Sequence, residues 1–254
     1  NPRPGGADFV ELYNASEKFL QLEGWQLGNG SLVLSLPRFL LHPGQWVALS
    51  EDPYGLTLQY PLANAPQIVH ADLPSLPDDE GEVELLNSAA RSFDRVNYHA
   101  DWHTVFLKED DGVSLERIDY TQGAQSPGNW ISASSQAGHA TPGRANSQQG
   151  SSPGEEDGVQ VVPALFTHGD FAQIHYRLDH RGAMANIKVF NHGGSEVKTI
   201  AENEWLGTEG FFRWDGDKND GERVAPGYYF IWFEWFDSMG RVETYRKRVI
   251  VTSR

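Results

Sequence analysis

The 254 residues include no cysteine. That absence removes thiol nucleophiles, thiolate zinc sites and disulfides together, so packing alone must hold the fold. Cations are scarce: 20 Lys and Arg stand against 35 Asp and Glu, a formal charge of −15. Such a field repels phosphate backbones and argues against nucleic acid as a partner. The basic stretch Arg241, Arg246, Lys247 and Arg248 does not reverse this, because on a strand those side chains divide between two faces. No apolar run approaches the ~20 residues that span a bilayer, so no membrane span is expected. The opening Asn1-Pro2-Arg3-Pro4 has neither a methionine nor a signal-peptide core, and the expectation is an excised piece whose true N-terminus lies elsewhere. Enzyme signatures are missing as well. There is no Gly-x-Ser-x-Gly elbow, phosphate-cradling loop, His-Glu-x-x-His or dinucleotide fingerprint, and no catalytic residue is assigned.

What the chain does have is 39% hydrophobic residues, 12% aromatic residues, 26 Gly and 14 Pro, the profile of a folded protein that turns often. Its length accommodates two domains, each with its own core. From Gln148 to Gly158 there is no apolar residue, and the Gly, Ser, Pro and acidic content reads as a linker. The expected division is a first domain at 1–148, a linker at 149–158 and a second domain at 159–254.

Short runs with two-residue alternation recur on both sides. Before the linker they are Phe9–Tyr13, Leu20–Leu27, Leu32–Leu36, Trp46–Leu49, Val83–Leu86 and Val113–Tyr120, with no helical run among them. After it, seven follow in under 100 residues: Val159–Val162, Gln173–Leu178, Ala185–Phe190, Val197–Ile200, Gly210–Trp214, Tyr228–Phe236 and Val242–Val251. This is the grammar of an all-β chain, two immunoglobulin-like β-sandwich domains in tandem. Asp237-Ser238-Met239-Gly240 supplies a tight hairpin turn between the last two strands, and Asp215–Gly221 reads as an exposed connection.

Several segments of the first half resemble the lamin-tail domain as it occurs in exported proteins of bacteria with type IX secretion. They are Asp8-Phe9-Val10-Glu11-Leu12-Tyr13-Asn14, Leu22-Glu23-Gly24-Trp25-Gln26-Leu27, Leu41-His42-Pro43-Gly44, Leu76-Pro77-Asp78-Asp79-Glu80-Gly81, Asp101-Trp102-His103, Ser114-Leu115-Glu116-Arg117, Asn129-Trp130 and Ala140-Thr141-Pro142-Gly143. The resemblance implies an immunoglobulin-like sandwich whose first, apolar strand would precede Asn1. The second half resembles the immunoglobulin-like domain of flagellar hook-capping proteins. That likeness rests on Ile174-His175-Tyr176-Arg177-Leu178, Ile187-Lys188-Val189-Phe190-Asn191, Trp214-Asp215-Gly216-Asp217 and Val224-Ala225-Pro226-Gly227-Tyr228-Tyr229. Its closing strand, Tyr245–Val251, is similar to the end of type IX sorting domains. Together the resemblances imply a non-catalytic structural, anchoring or adhesion module at the C-terminal end of a bacterial surface protein. Its location would be extracellular or on the outer-membrane surface, and its partner a cell-envelope component, polysaccharide or protein. The alternative is a carbohydrate-binding accessory module of a larger secreted hydrolase. Asp237-Ser238-Met239 also resembles the three-residue acceptor of O-linked glycans in such bacteria.

Three groups of residues are candidate sites. Alternation sends Tyr228, Phe230, Trp232, Glu234 and Phe236 to one face of a strand and Tyr229, Ile231, Phe233 and Trp235 to the other. Both faces are aromatic, so some of that surface is expected to pack against the first domain, to bind a ligand or to be buried by neighbouring side chains, with Trp232 and Trp235 as the ligand-binding residues. Asp215, Asp217, Asn219 and Asp220 gather oxygen ligands in one loop, enough for weak Ca2+ binding, although the spacing fails the EF-hand rule. No other cofactor is expected. His99, Asp101 and His103 would share one face of a strand, as metal ligands can.

Overall fold

The computed structural model describes residues 2–107, 109–126, 128–149 and 158–253. Strand accounts for 44% of the chain and helix for 5%, so the protein is all-β. It divides into two compact units, Asn1–Gln149 and Gly150–Arg254. Most of the expected linker, 150–157, lies outside the described residues. Gln148 does not belong with it: the side chain is fully buried, its backbone N–H donates to Glu116 Oε2 at 3.1 Å and its Nε2 donates to Ser132 O at 3.2 Å. Composition reads glutamine as solvated, and only the buried carboxylate it serves explains its place.

The first unit contains β1 (Phe9–Tyr13), β2 (Leu20–Gln21), β3 (Gln26–Gly28), β4 (Val33–Ser35), β5 (Leu40–Leu41), β6 (Trp46–Ser50), α1 (Pro53–Gln59), β7 (Ile68–His70), β8 (Glu80–Leu86), β9 (Ser92–His99), β10 (Leu115–Arg117) and β11 (Trp130–Ser132). They form sheets in the orders β1-β6-β7 and β4-β3-β8-β9, with the smaller pairs β2-β5 and β10-β11. Strand β6 is central and buried on both faces: Val47 and Leu49 join Leu22, Leu27 and Leu41 in one core, while Ala48 joins Leu56, Tyr60 and Ile68 in another. A continuous apolar run is what such a strand requires.

The sequence reading allowed no helix, and α1 corrects it. Asp52 caps it by accepting from Gly55 N at 2.9 Å, Pro53 occupies the first turn and Leu56 points inward. At seven residues the helix is too short to show a 3.6-residue period, and the Asp-Pro pair was its readable signal. Strands β5, β7, β9 and β11 also lay outside the expected set. Most are two or three residues long, and β9 mixes charged and apolar side chains along its length.

The second unit contains β12 (Gly158–Val162), β13 (Leu165–Thr167), β14 (Ala172–Arg177), β15 (Ala183–Asn191), β16 (Glu196–Trp205), β17 (Glu209–Trp214), β18 (Gly227–Asp237) and β19 (Val242–Thr252). Each of the seven runs read from the sequence here is a strand, and β13 is the addition. Two sheets, β12-β14-β17 and β13-β19-β18-β15-β16, enclose one core. The chain changes sheets between β12, which pairs with β14, and β13, which runs parallel to β19. Pro163 stands at the change, where a residue without an N–H ends a ladder.

The core is built on Trp214, Ile231 and Phe233, all essentially without solvent contact. Each such side chain contributes about 1.5–3 kcal/mol by burial. Tyr229, near the start of β18, donates its hydroxyl back to Ala225 O at 2.7 Å, the tyrosine corner of immunoglobulin-like sandwiches. The hairpin read at Asp237–Gly240 joins β18 to β19, with Asp237 Oδ1 accepting from Met239 N and Arg241 N, both at 2.9 Å.

Gly216 illustrates how the loop after β17 is fixed. It has φ +71, and a Cβ there would meet Phe166 Cε2 at 3.2 Å. Gly216→Ala is therefore expected to cost about 1–3 kcal/mol from backbone strain and overpacking. Urea unfolding checks this, and an unchanged midpoint would show that the position is not constrained.

Candidate binding face

The alternation of β18 is realised along its whole length. Tyr229, Ile231, Phe233, Trp235 and Asp237 are buried, whereas Tyr228 and Phe230 keep 53% and 43% of their surface exposed and Trp232 is half-buried. Register then fixes the neighbours. Trp232 lies beside Arg246 of β19 and Lys188 of β15; Phe230 lies beside Arg248 and Phe190. The outer face of the five-stranded sheet thus carries a short aromatic row edged by cations. The Arg248 guanidinium sits 5.7 Å from the centre of the Tyr228 ring.

Strand β15 bends as it passes this row. Its pairing with β16 shifts register at Ala185/Ile187, Ile187/Lys188 and Val189/Phe190, and bulges of this kind increase the local twist. Asn186 Oδ1 holds the bend by accepting from Asn203 N at 2.8 Å; Asn203 itself has φ +51. An open concavity of about 830 Å³ results, with Lys188, Phe230, Trp232, Arg246, Asn186 and Glu202 among its lining residues. Lys188 Nζ donates to Glu196 Oε2 at 2.8 Å, which raises the lysine pKa and lowers that of the glutamate. Flat apolar plates beside guanidinium and amide groups can stack on and hydrogen-bond to planar or ring-shaped ligands.

Trp235 as a ligand-binding residue is corrected by this geometry. Trp235 is 4% exposed, faces the core and packs at 4.1 Å, centroid to centroid, on His180. Residues an odd number of positions apart on a regular strand point to opposite faces, and 232 and 235 are three apart.

The acidic loop is likewise divided among internal partners. Asp215 Oδ1 accepts from Arg213 Nε at 2.9 Å. Asp217 Oδ2 accepts from Lys198 Nζ at 2.5 Å. Asn219 Oδ1 caps Thr199 N at 2.9 Å, and Asp220 Oδ1 accepts from Glu222 N at 2.9 Å. These are ion pairs and turn bonds rather than convergent ligands. Nor do His99, Asp101 and His103 share a strand face: β9 ends at His99, a 3-10 turn spans Ala100–Trp102, and His103 Nδ1 is 2.9 Å from Ser132 Oγ. Among the described residues no group of three His, Asp or Glu side chains is arranged to hold a metal.

Sequence reasoning passed over two carboxylates in the first unit, the half-buried Glu11 and the buried Glu116. Burial pushes Glu11 up to about 8, with the Glu116 charge adding to the effect and the bond from Gly143 N opposing it. Glu116 is raised by burial too. Perturbed acids mark active sites often enough to require scrutiny. Here Glu11 Oε1 accepts from Gly143 N at 2.6 Å, Glu116 Oε1 from Thr141 Oγ1 at 2.7 Å and Glu116 Oε2 from Ser147 Oγ at 2.8 Å. Both carboxylates fasten the 141–148 segment onto β1 and β10, a structural task that the Thr141-Pro142-Gly143 signature could have signalled.

No family model matches the chain, and no curated protein matches it. Solved structures similar to parts of it include the hook-capping protein FlgD of Xanthomonas campestris, at 24% identity and TM-score 0.28, over 33% of this chain and 60% of that one. FlgD of P. aeruginosa is 19% identical with TM-score 0.28, over 35% and 66%. PorZ, described as a surface component of the type IX secretion system of Porphyromonas gingivalis, is 16% identical with TM-score 0.30, over 68% of this chain and 21% of that one. The chain thus spans about two thirds or less of each of these proteins.

Proposed function

We propose that the chain is a non-catalytic recognition and anchoring module of an exported bacterial surface protein, with 1–148 and 159–254 as tandem immunoglobulin-like domains. The observation that carries this reading is the outer face of the β18 sheet. There Tyr228, Phe230 and Trp232 stay exposed or half-exposed in one row beside Arg246 and Arg248. A row of rings open to solvent and edged by donors is the composition of recognition surfaces. The partner is a cell-envelope component, and the surroundings are extracellular or the outer-membrane surface. The lamin-tail and hook-capping resemblances support that setting. A second reading, a carbohydrate-binding accessory of a secreted hydrolase, is favoured by the amides of Asn186 and Asn203 beside the same rings.

A pull-down with purified cell-wall sacculi and a panel of insoluble polysaccharides tests both. Retention by sacculi that Trp232→Ala abolishes in a folded protein supports anchoring, and retention confined to one polysaccharide supports the second reading. Retention that survives Trp232→Ala removes this face from either. Hydrolysis of any ester, glycoside or phosphodiester by the purified chain would contradict both.

A further inference from the structure

The bulge between β15 and β16 sets the polar side of the concavity beside Trp232. Ala185 pairs with Glu204 and Ile187 with Ala201, so two residues of β16, Glu202 and Asn203, stand opposite Asn186 alone. A bulge re-aims side chains in this way, and all three residues line the concavity. Asn186 is held by its oxygen, which accepts from Asn203 N at 2.8 Å. Its Nδ2 group forms no hydrogen bond among the described residues and remains a donor for whatever enters. Glu202 is exposed and forms no ion pair among the described residues, which leaves its carboxylate as an acceptor.

Three cations border the aromatic row, and two of them are committed. Lys188 pairs with Glu196 at 2.8 Å, and the Arg248 guanidinium lies against the Tyr228 ring. Arg246 is exposed and stands directly across from Trp232, with no ion pair or hydrogen bond among the described residues. Glu234 lies across from Thr244 and Asn186 and forms no ion pair with it. A guanidinium offers a planar fork of donors that matches a carboxylate.

The uncommitted groups are thus an indole plate, a guanidinium, an amide donor and a carboxylate acceptor. A sugar ring answers each of them. Its C–H face stacks on Trp232, its hydroxyls accept from Asn186 and donate to Glu202, and an acidic sugar brings a carboxylate to Arg246. A flat aromatic acid would leave Glu202 without a donor. The volume of about 830 Å³ falls within the range of ligand clefts, ~300–1,000 Å³. The formal charge of −15 repels a densely charged polymer, so the acid must be sparse along its chain.

We propose that this concavity takes a saccharide bearing an isolated carboxylate, a hexuronic acid residue set among neutral sugars. Arg246 selects the acid and Trp232 stacks on the ring. The inference rests on the reading of the β18 face as a recognition surface and deepens it.

The test measures binding by the intact chain to a panel of neutral oligosaccharides that each carry one hexuronate, beside the methyl ester of each. The ester keeps the rings and removes the charge. At least one acid is expected to bind about tenfold or more tightly than its ester. Arg246→Gln, at an unchanged unfolding midpoint, should bring that acid down to the ester's affinity and leave the ester unaffected, whereas Trp232→Ala should weaken both. No acid exceeding its ester, or no acid binding at millimolar concentration, would overturn the proposal. Loss in Trp232→Ala with Arg246→Gln at parental strength would overturn acid selection and leave the recognition face standing. Parental binding by both variants would remove the face itself. An oligo-glutamate peptide binding as tightly as the best saccharide would overturn the proposal in favour of an acidic polypeptide.

Discussion

Phe233→Ala is expected to destabilise the second unit by about 3–5 kcal/mol, the cost of emptying a large, fully enclosed aromatic site. Trp232→Ala, one residue earlier, should cost only about 1 kcal/mol. The contrast follows from the strand period. Phe233 has no solvent exposure and packs against Tyr176 and Phe212, with centroids at 5.7 and 6.4 Å. Trp232 stands on the opposite face, between Lys188 and Arg246. Urea unfolding of the two variants measures the difference. Equal losses would mean that the outer face of the sheet is as enclosed as the inner one, and the recognition reading would lose its surface.

The first unit should lose stability as pH rises from about 5 to 8, and Glu11→Gln should flatten that dependence. Glu11 has a folded pKa of about 8 against about 4.3 in an unfolded chain, so within this window the folded state binds the extra proton. Stability associated with it is complete below the unfolded value and is lost as pH climbs toward the folded one, by up to about 1.4 kcal/mol per pH unit. Glu116 is shifted the same way and leaves a residual slope in the variant. Glutamine keeps an oxygen for Gly143 N, so the anchor bond of 2.6 Å survives and the variant should be more stable than the parent at pH 8. Hydrogen exchange in peptides covering β1 and β6, followed from pH 5.5 to 8 and corrected for intrinsic rates, reads this out. A parent whose stability rises over that range would contradict the assignment.

The second unit was legible in sequence to a degree the first was not, and the reason is strand length. Strands β15, β16, β18 and β19 run for nine to eleven residues, long enough for alternation to show through. In β18 the turn chemistry at Asp237 and Gly240 fixed the hairpin as well. The first unit is built from pieces such as β2 and β5, of two residues each, and from a capped helix too short for a period. What joins it is a set of polar contacts at long sequence separation: Glu11 with Gly143, Glu116 with Thr141 and Ser147, Tyr60 Oη with Gly112 O at 3.0 Å. Pattern reading cannot pair residues so far apart.

Of the candidate site, the row containing Trp232 was readable from period two. The same period sends Trp235 to the other face, and alternation alone does not show that this face is the one turned to the core and to His180. The loop from Asp215 to Asp220 was readable as an exposed connection, but not the partners of its oxygens across the fold, Lys198 and the backbone of Thr199.

The most direct test of the recognition surface compares two solvent-accessible aromatic residues on opposite sheets of the same unit, the half-buried Trp232 and the exposed Phe211. Phe211 on β17 is 49% exposed and packs on His175, at 5.6 Å between ring centres. Binding isotherms on the retained sacculi or polysaccharide would be measured for the parent, Trp232→Ala and Phe211→Ala, each checked for an unchanged unfolding midpoint. Loss of affinity by about tenfold or more in Trp232→Ala, with Phe211→Ala at parental strength, is the predicted result. Parental affinity in Trp232→Ala, or an equal loss in both, would contradict the assignment of recognition to the outer face of β18.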